Sequence, residues 1–211
     1  MGTTLLNALI VMLVVIDPVG VAPVFASMTA SFSPAQQRHL ARRGVMVAAG
    51  ILYAFALTGH LFLTALGIGL PAFQIAGGIL LFVLAIEMIL VHESGIRTAT
   101  QPEQEEAGQR ADISVFPLAI PLIAGPGAIT STVLLMRPAW SQPWLAVGLL
   151  AVIAVALLVT LATLLVAARL TALLGVTGAS VISRVFGIIL AALAVQFVLN
   201  GLEGTGLLHV G

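Results

Sequence analysis

At 211 residues, 60% hydrophobic and 8% charged, with eight basic and eight acidic side chains, the chain lies far from a soluble globule, where the charged share is about a quarter. A mean hydropathy of +1.18 makes it an integral membrane protein. Zero net charge gives no footing for nucleic acid, and the absence of cysteine removes disulfides, thiolate chemistry and cysteine metal sites.

Apolar runs of about 20 residues predict six spans, at 5–29, 44–66, 71–91, 113–136, 144–168 and 185–202. The first is expected to be a retained helix, because Met1-Gly2-Thr3-Thr4 carries no Lys or Arg to form a signal-peptide n-region. It is interrupted by Asp17-Pro18-Val19-Gly20, and Asp17 is the one acid deep within it. Arg38, Arg42 and Arg43 fall in the first connection. Span two carries His60, and span three carries Gln74, Gly77-Gly78 and Glu87. The connection from His92 to Asp112 holds Glu93, Arg97, Glu103, Glu105, Glu106, Arg110 and Asp112, nearly half of the charged residues, and reads as a mobile linker. Span four is interrupted by Gly125-Pro126-Gly127-Ala128 and continues with Thr130, Ser131 and Thr132. Arg137, Trp140 and Trp144 precede span five, Arg169 and Arg184 precede span six, and Gln196 and Asn200 lie within span six.

Seven of the eight arginines fall on one side of this arrangement, so the positive-inside rule places those connections in the cytoplasm and both termini outside. Trp140 and Trp144 then sit at the outer interface. The linker at 93–112 divides the chain into three-span halves, 1–92 and 113–211. Shifting the second half by 108 positions sets Pro126 on Pro18. A shift of 109 sets Gly187 on Gly78, Ile188 on Ile79, Ala194 on Ala85 and Gln196 on Glu87. An odd number of spans per half makes the repeats inverted, as in many secondary transporters.

Pro18 and Pro126 lack an N–H and clash with the preceding turn, while Gly20, Gly125 and Gly127 permit unusual dihedrals, so spans one and four are expected to break. A dozen residues at 1.5 Å rise puts both breaks about 18 Å along their helices, near the bilayer centre. Broken backbone at that depth requires burial or a polar cavity. Helix N-termini at the breaks supply free N–H donors and partial positive charge.

An intramembrane acid is costly enough to suggest function, and Asp17 before Pro18 is also a good N-cap; the two roles are compatible. Glu87 snorkels to the interface, pairs with an arginine, or joins a proton relay with Asp17. His60 suits an interhelical hydrogen bond, while Gln74, Gln196 and Asn200 suit either interhelical contacts or the lining of a cavity. Thr130, with Ser131 and Thr132, offers hydroxyls either to a ligand or back to its own helix.

Asp17-Pro18-Val19-Gly20-Val21-Ala22-Pro23-Val24-Phe25, the run from Ile75 to Phe82, the run from Phe116 to Ile129, and Arg184 to Gly201 together resemble the MarC family across nearly the whole chain. The resemblance implies a bacterial inner-membrane protein of six helices with the first and fourth broken, similar to small neutral amino-acid transporters. It places the site at Asp17, Pro18, Gly20, Gly125, Pro126 and Gly127. Val21 departs from the pattern, standing where many members carry Asn.

These readings converge on an all-α membrane protein of two inverted three-helix repeats. The expected activity is secondary transport of a small neutral amino acid such as glycine or alanine by alternating access, coupled to a proton or sodium ion. Its ammonium would meet Asp17, and its carboxylate the helix opened at Gly125-Pro126-Gly127. Neither a cofactor nor a metal is implied. An aquaporin-like channel also joins inverted halves through facing half-helices, but it adds them as re-entrant loops and uses an Asn-Pro-Ala motif that is missing here. An intramembrane protease would need a second central acid or a Gly-x-Ser-x-Gly nucleophile, so an enzyme is not expected.

Overall fold

A computed structural model describes residues 2–90, 113–137 and 142–206, and every regular element among them is helical. The linker at 93–112, with Arg97 and Arg110, and Trp140 lie outside the described residues. In chain order the elements are α1 (Gly2–Ile16), α2 (Pro18–Met28), α3 (Pro34–Ala65), α4 (Leu70–Leu90), α5 (Ser114–Ile123), α6 (Pro126–Leu135), α7 (Pro143–Leu165) and α8 (Ala167–Gly204).

Five stretches are long and apolar enough to cross a membrane: Thr4–Met28, Pro34–Ala65, Leu70–Leu90, Pro143–Leu165 and Thr177–Gly204. The bent pair α5 and α6 makes a sixth. All six coincide with the spans read from hydropathy. The first is the most buried of the five, with 61% of its most apolar stretch buried against 22 to 39% in the other four, and the bent pair α5 and α6 is buried along most of its length as well. Leu57, Leu61, Phe62, Val147, Leu158 and Ile188 point outward and are exposed. In a bilayer such side chains meet acyl chains, so this apolar exterior carries no penalty.

Two boundaries differ from the hydropathy reading. Span two begins ten residues early, because Ser33 and Gln36 form a reciprocal capping box and Pro34 occupies the first helical position. Arg38, Arg42 and Arg43 therefore belong to the first turns of α3 and not to a connection. Span six is the second part of α8, which kinks at Gly175, where φ is 65°. A side chain there would be strained, so glycine suits the kink.

Small residues set the closest helix contact, that of α4 with α8. A Cβ on Gly78 would lie 2.7 Å from the Ala194 carbonyl oxygen, one on Gly187 3.1 Å from that of Ala85, and one on Gly201 2.9 Å from that of Pro71. Glycine lets the backbones approach where any other residue would collide. Partners on α8 descend as those on α4 ascend, so the two helices run antiparallel. Across the rest of the bundle the halves interlock: α3 packs on α5 and α6, while α7 packs on α1 and α2.

Candidate functional site

The first break is a single residue wide. Asp17 has φ 48° and ψ 68°, the left-handed region, and is the only described residue other than glycine at positive φ. Pro18 explains this, since the residue before a proline is driven out of the right-handed helical region. Aspartate and asparagine tolerate the alternative better than other side chains, at a cost of order 1 kcal/mol. The hydrogen-bond ladder otherwise runs through the break: the Asp17 N–H donates to the Leu13 carbonyl at 2.9 Å, and the Val21 N–H to the Asp17 carbonyl at 3.0 Å. The first span therefore runs through this break as one membrane-length stretch, where its sequence suggested a split into two half-helices.

The Asp17 carboxylate is 1% exposed and bonded on both oxygens. Its Oδ1 accepts from the Gly20 N–H at 3.0 Å, capping α2, and its Oδ2 accepts from the Ser183 hydroxyl of α8 at 2.8 Å. A Cβ on Gly20 would collide with Asp17 Oδ2 and Ser183 Oγ. Gly20 is thus required for close approach, and its backbone needs no unusual dihedral; the same is true of Gly125 and Gly127, none of which has positive φ.

The second break is wider and bends the chain by 57°. In α5, Phe116 and Ile120 are extended, each preceding a cis proline, Pro117 and Pro121. The Leu118 and Ala124 N–H groups reach five residues back, to the carbonyls of Ile113 and Ala119, at 3.3 and 2.8 Å. The approach to this break is therefore an irregular coil rather than an α-helix, because prolines four apart remove two donors from one turn. Gly125 then allows α6 to start against the Pro121 carbonyl, 2.5 Å from where a Cβ would sit. No side chain caps α6. Gly127 and Ala128, in its first turn, line a cavity of about 10 Å³ together with Val15, Leu84 and Pro121, and the first N–H groups of a helix lack intrahelical partners. That is room for about one water.

The breaks lie side by side. A Cβ on Gly127 would lie 3.4 Å from Val15 Cγ1 and 3.0 Å from the Leu81 and Leu84 methyls. Of the residues singled out from sequence, Gly125, Pro126 and Gly127 line the small cavity, whereas Asp17, Pro18, Gly20 and Thr130 do not. Thr130 is buried with its methyl against Gly77 of α4. Ser131 is fully buried with no hydroxyl partner among the described residues, and the Thr132 hydroxyl donates to Met12 Sδ at 3.9 Å. Glu87 is half-buried, and the residue after it, Met88, packs on Gly187, one turn along α8 from Ser183. Asp17 and the Glu87 segment thus approach one turn of α8 from two helices.

One expectation is revised. Gln196 donates to Asn200 at 2.7 Å along the exposed side of α8, so this pair satisfies itself within one helix. His60 faces outward on α3, and Trp144 is half exposed at the start of α7. Ser183 was absent from the sequence-derived set. The shift of 109 that relates the third spans places it opposite Gln74, which is itself buried, and that correspondence was the available signal.

The family described as MarC family integral membrane protein matches residues 2–205. The UPF0056 membrane protein YvbG of Bacillus subtilis (strain 168) is 33% identical over 204 residues, 97% of this chain and 96% of the relative. The UPF0056 membrane protein YhcE of Escherichia coli (strain K12) is 35% identical over 189 residues, 90% and 87% of the two chains. A UPF0056 membrane protein of Archaeoglobus fulgidus is 36% identical over 191 residues, again 90% and 87%. No solved structure matches the chain.

Proposed function

The chain belongs to the MarC family of integral membrane proteins, and on that footing we propose that it is a secondary transporter of a small neutral amino acid, working by alternating access around its two broken spans. The observation that carries this reading is Asp17: a buried carboxylate at a strained break inside the first span. An acid so placed is costly in lipid and calls for a role. At the other break stands a helix N-terminus with no side-chain cap among the described residues, and no acid among them lines its small cavity. One break thus suits an ammonium group and the other a carboxylate.

The inverted-repeat arrangement is part of the same proposal. What supports it is the α4 and α8 interface, where Gly78 meets Ala194 and Gly187 meets Ala85. Under the shift of 109 these are one contact with its partners exchanged, and the helices making it run antiparallel. A two-fold exchange of the halves about an axis in the membrane plane has that consequence.

A cavity fit for one water cannot hold even glycine, so loading requires α6 to part from α1 and α4, or α8 to release Asp17. In the proposed cycle the substrate ammonium replaces the Ser183 hydroxyl as donor to Asp17. Proton coupling through Asp17 and Glu87 makes flux depend on pH; sodium coupling makes it depend on a sodium gradient. Uptake of labelled glycine or alanine into proteoliposomes tests the reading. Saturable flux competed by unlabelled substrate is expected, whereas flux that rises linearly without competition would assign a pore.

A further inference from the structure

A second cavity, of about 340 Å³, lies where the end of α2 and the start of α3 meet the corner between α7 and α8. Arg38 of α3 and Arg169 of α8 both line it, and no acidic side chain among the described residues does. Neither arginine has a hydrogen bond or ion pair among the described residues. Guanidinium groups stay charged at any physiological pH, so two of them around one space create a positive potential. The α8 N-terminus adds to it: Ala167 and Ala168 border the cavity, no side chain caps this end, and the first N–H groups of a helix lack intrahelical partners.

The walls are already in place. Gln37 donates through Nε2 to the Thr29 and Phe32 carbonyls at 2.8 and 3.2 Å, tying the α2 to α3 turn on one side. Opposite, Phe25, Leu164 and Leu165 give an apolar surface continuous with the bundle. A positive mouth above an apolar wall matches a group that is anionic at one end, and Arg forks suit the tetrahedral oxygens of phosphate.

We propose that this cavity is a binding site for a phosphate group on the arginine-rich face of the membrane, carried by an anionic lipid of that leaflet or by a soluble phosphate. The proposal stands independently of the transported substrate. A lipid phosphate here would brace the corner at which α8 turns away toward the Gly175 kink.

The test uses the full chain in neutral detergent. Native mass spectrometry with phosphatidylglycerol and phosphatidylcholine measures lipid retention, and melting in inorganic phosphate against chloride at equal ionic strength measures the soluble anion. Retention of phosphatidylglycerol but not phosphatidylcholine supports the lipid source; a melting shift specific to phosphate supports the soluble one. In either case Arg38→Gln and Arg169→Gln each weaken binding roughly tenfold, and Arg42→Gln, on α3 outside the cavity, leaves it unchanged. The proposal is overturned if neither probe binds the wild type, or if the Arg38→Gln/Arg169→Gln double variant binds both probes as the wild type does.

Discussion

The two oxygens of Asp17 face different elements, and this makes the residue separable into its roles. Asparagine shares the tolerance for left-handed backbone and caps a helix nearly as well. Its amide also meets Ser183, since a hydroxyl accepts as readily as it donates. Asp17→Asn should therefore keep stability within about 1 kcal/mol while abolishing flux, as read by thermal melting in micelles and by uptake into proteoliposomes. Full flux in this variant would reduce Asp17 to a cap. Asp17→Ala loses the cap, the Ser183 bond and the backbone tolerance together, and should cost about 2 kcal/mol or more. The burial and capping role of Asp17 were legible from an acid before a proline in an apolar run. Its partner was not, because the Ser183 bond joins positions 166 apart and a single serine in an apolar span carries no pattern of its own.

At the scale of elements, glycine separates packing from helix propensity. Gly50 of α3 has nothing within 4 Å of a would-be Cβ, whereas Gly78 of α4 faces the Ala194 carbonyl and the Val198 backbone N at 2.7 and 3.0 Å. Gly50→Ala should be neutral or stabilising by about 0.5 to 1 kcal/mol, and Gly78→Ala should destabilise by pushing two backbones apart. Melting temperatures that fall equally in both would show that the α4 and α8 contact is not limiting. Gly127→Val places two further methyls among Val15, Leu81 and Leu84, costing about 1 to 3 kcal/mol as overpacking; flux should fall more than expression, because the crowded atoms border the α6 N–H donors. The six spans and both breaks were readable from apolar length and proline. The early start of α3 was written in Ser33-Pro34-Ala35-Gln36, which a hydropathy window does not weigh. The coil of α5 was hidden for a different reason, since apolarity reports the environment of a segment and not its hydrogen-bond ladder.

At the scale of the whole molecule, the seven-to-one arginine split predicts that a reporter active only in the cytoplasm is silent when fused to Gly211. Strong activity would reverse the topology and move the Arg38 and Arg169 cavity to the opposite leaflet. Ligand choice tests how the halves cooperate. Asp17 belongs to the first half and the α6 N-terminus to the second, and neither break supplies both charges. Amino acids that keep both charges and a small side chain should therefore bind, and glycine and alanine are the reference pair. Glycine amide lacks the carboxylate and leaves the α6 donors without an anion. N-acetylglycine keeps the carboxylate but replaces the ammonium with a neutral amide, which leaves the Asp17 charge without a cation. Each omission strands a buried polar group at a cost of about 1 to 3 kcal/mol, a loss of roughly five- to 150-fold in affinity. Leucine keeps both charges but has to displace Val15, Leu81 and Leu84, which already pack within 3.0 to 3.4 Å of the Gly127 Cβ direction. Competition binding on purified protein reads all four ligands against glycine. If the amide and the acetylated analogue compete as well as glycine, the site does not bridge the two halves, and the charge of Asp17 serves something other than the substrate.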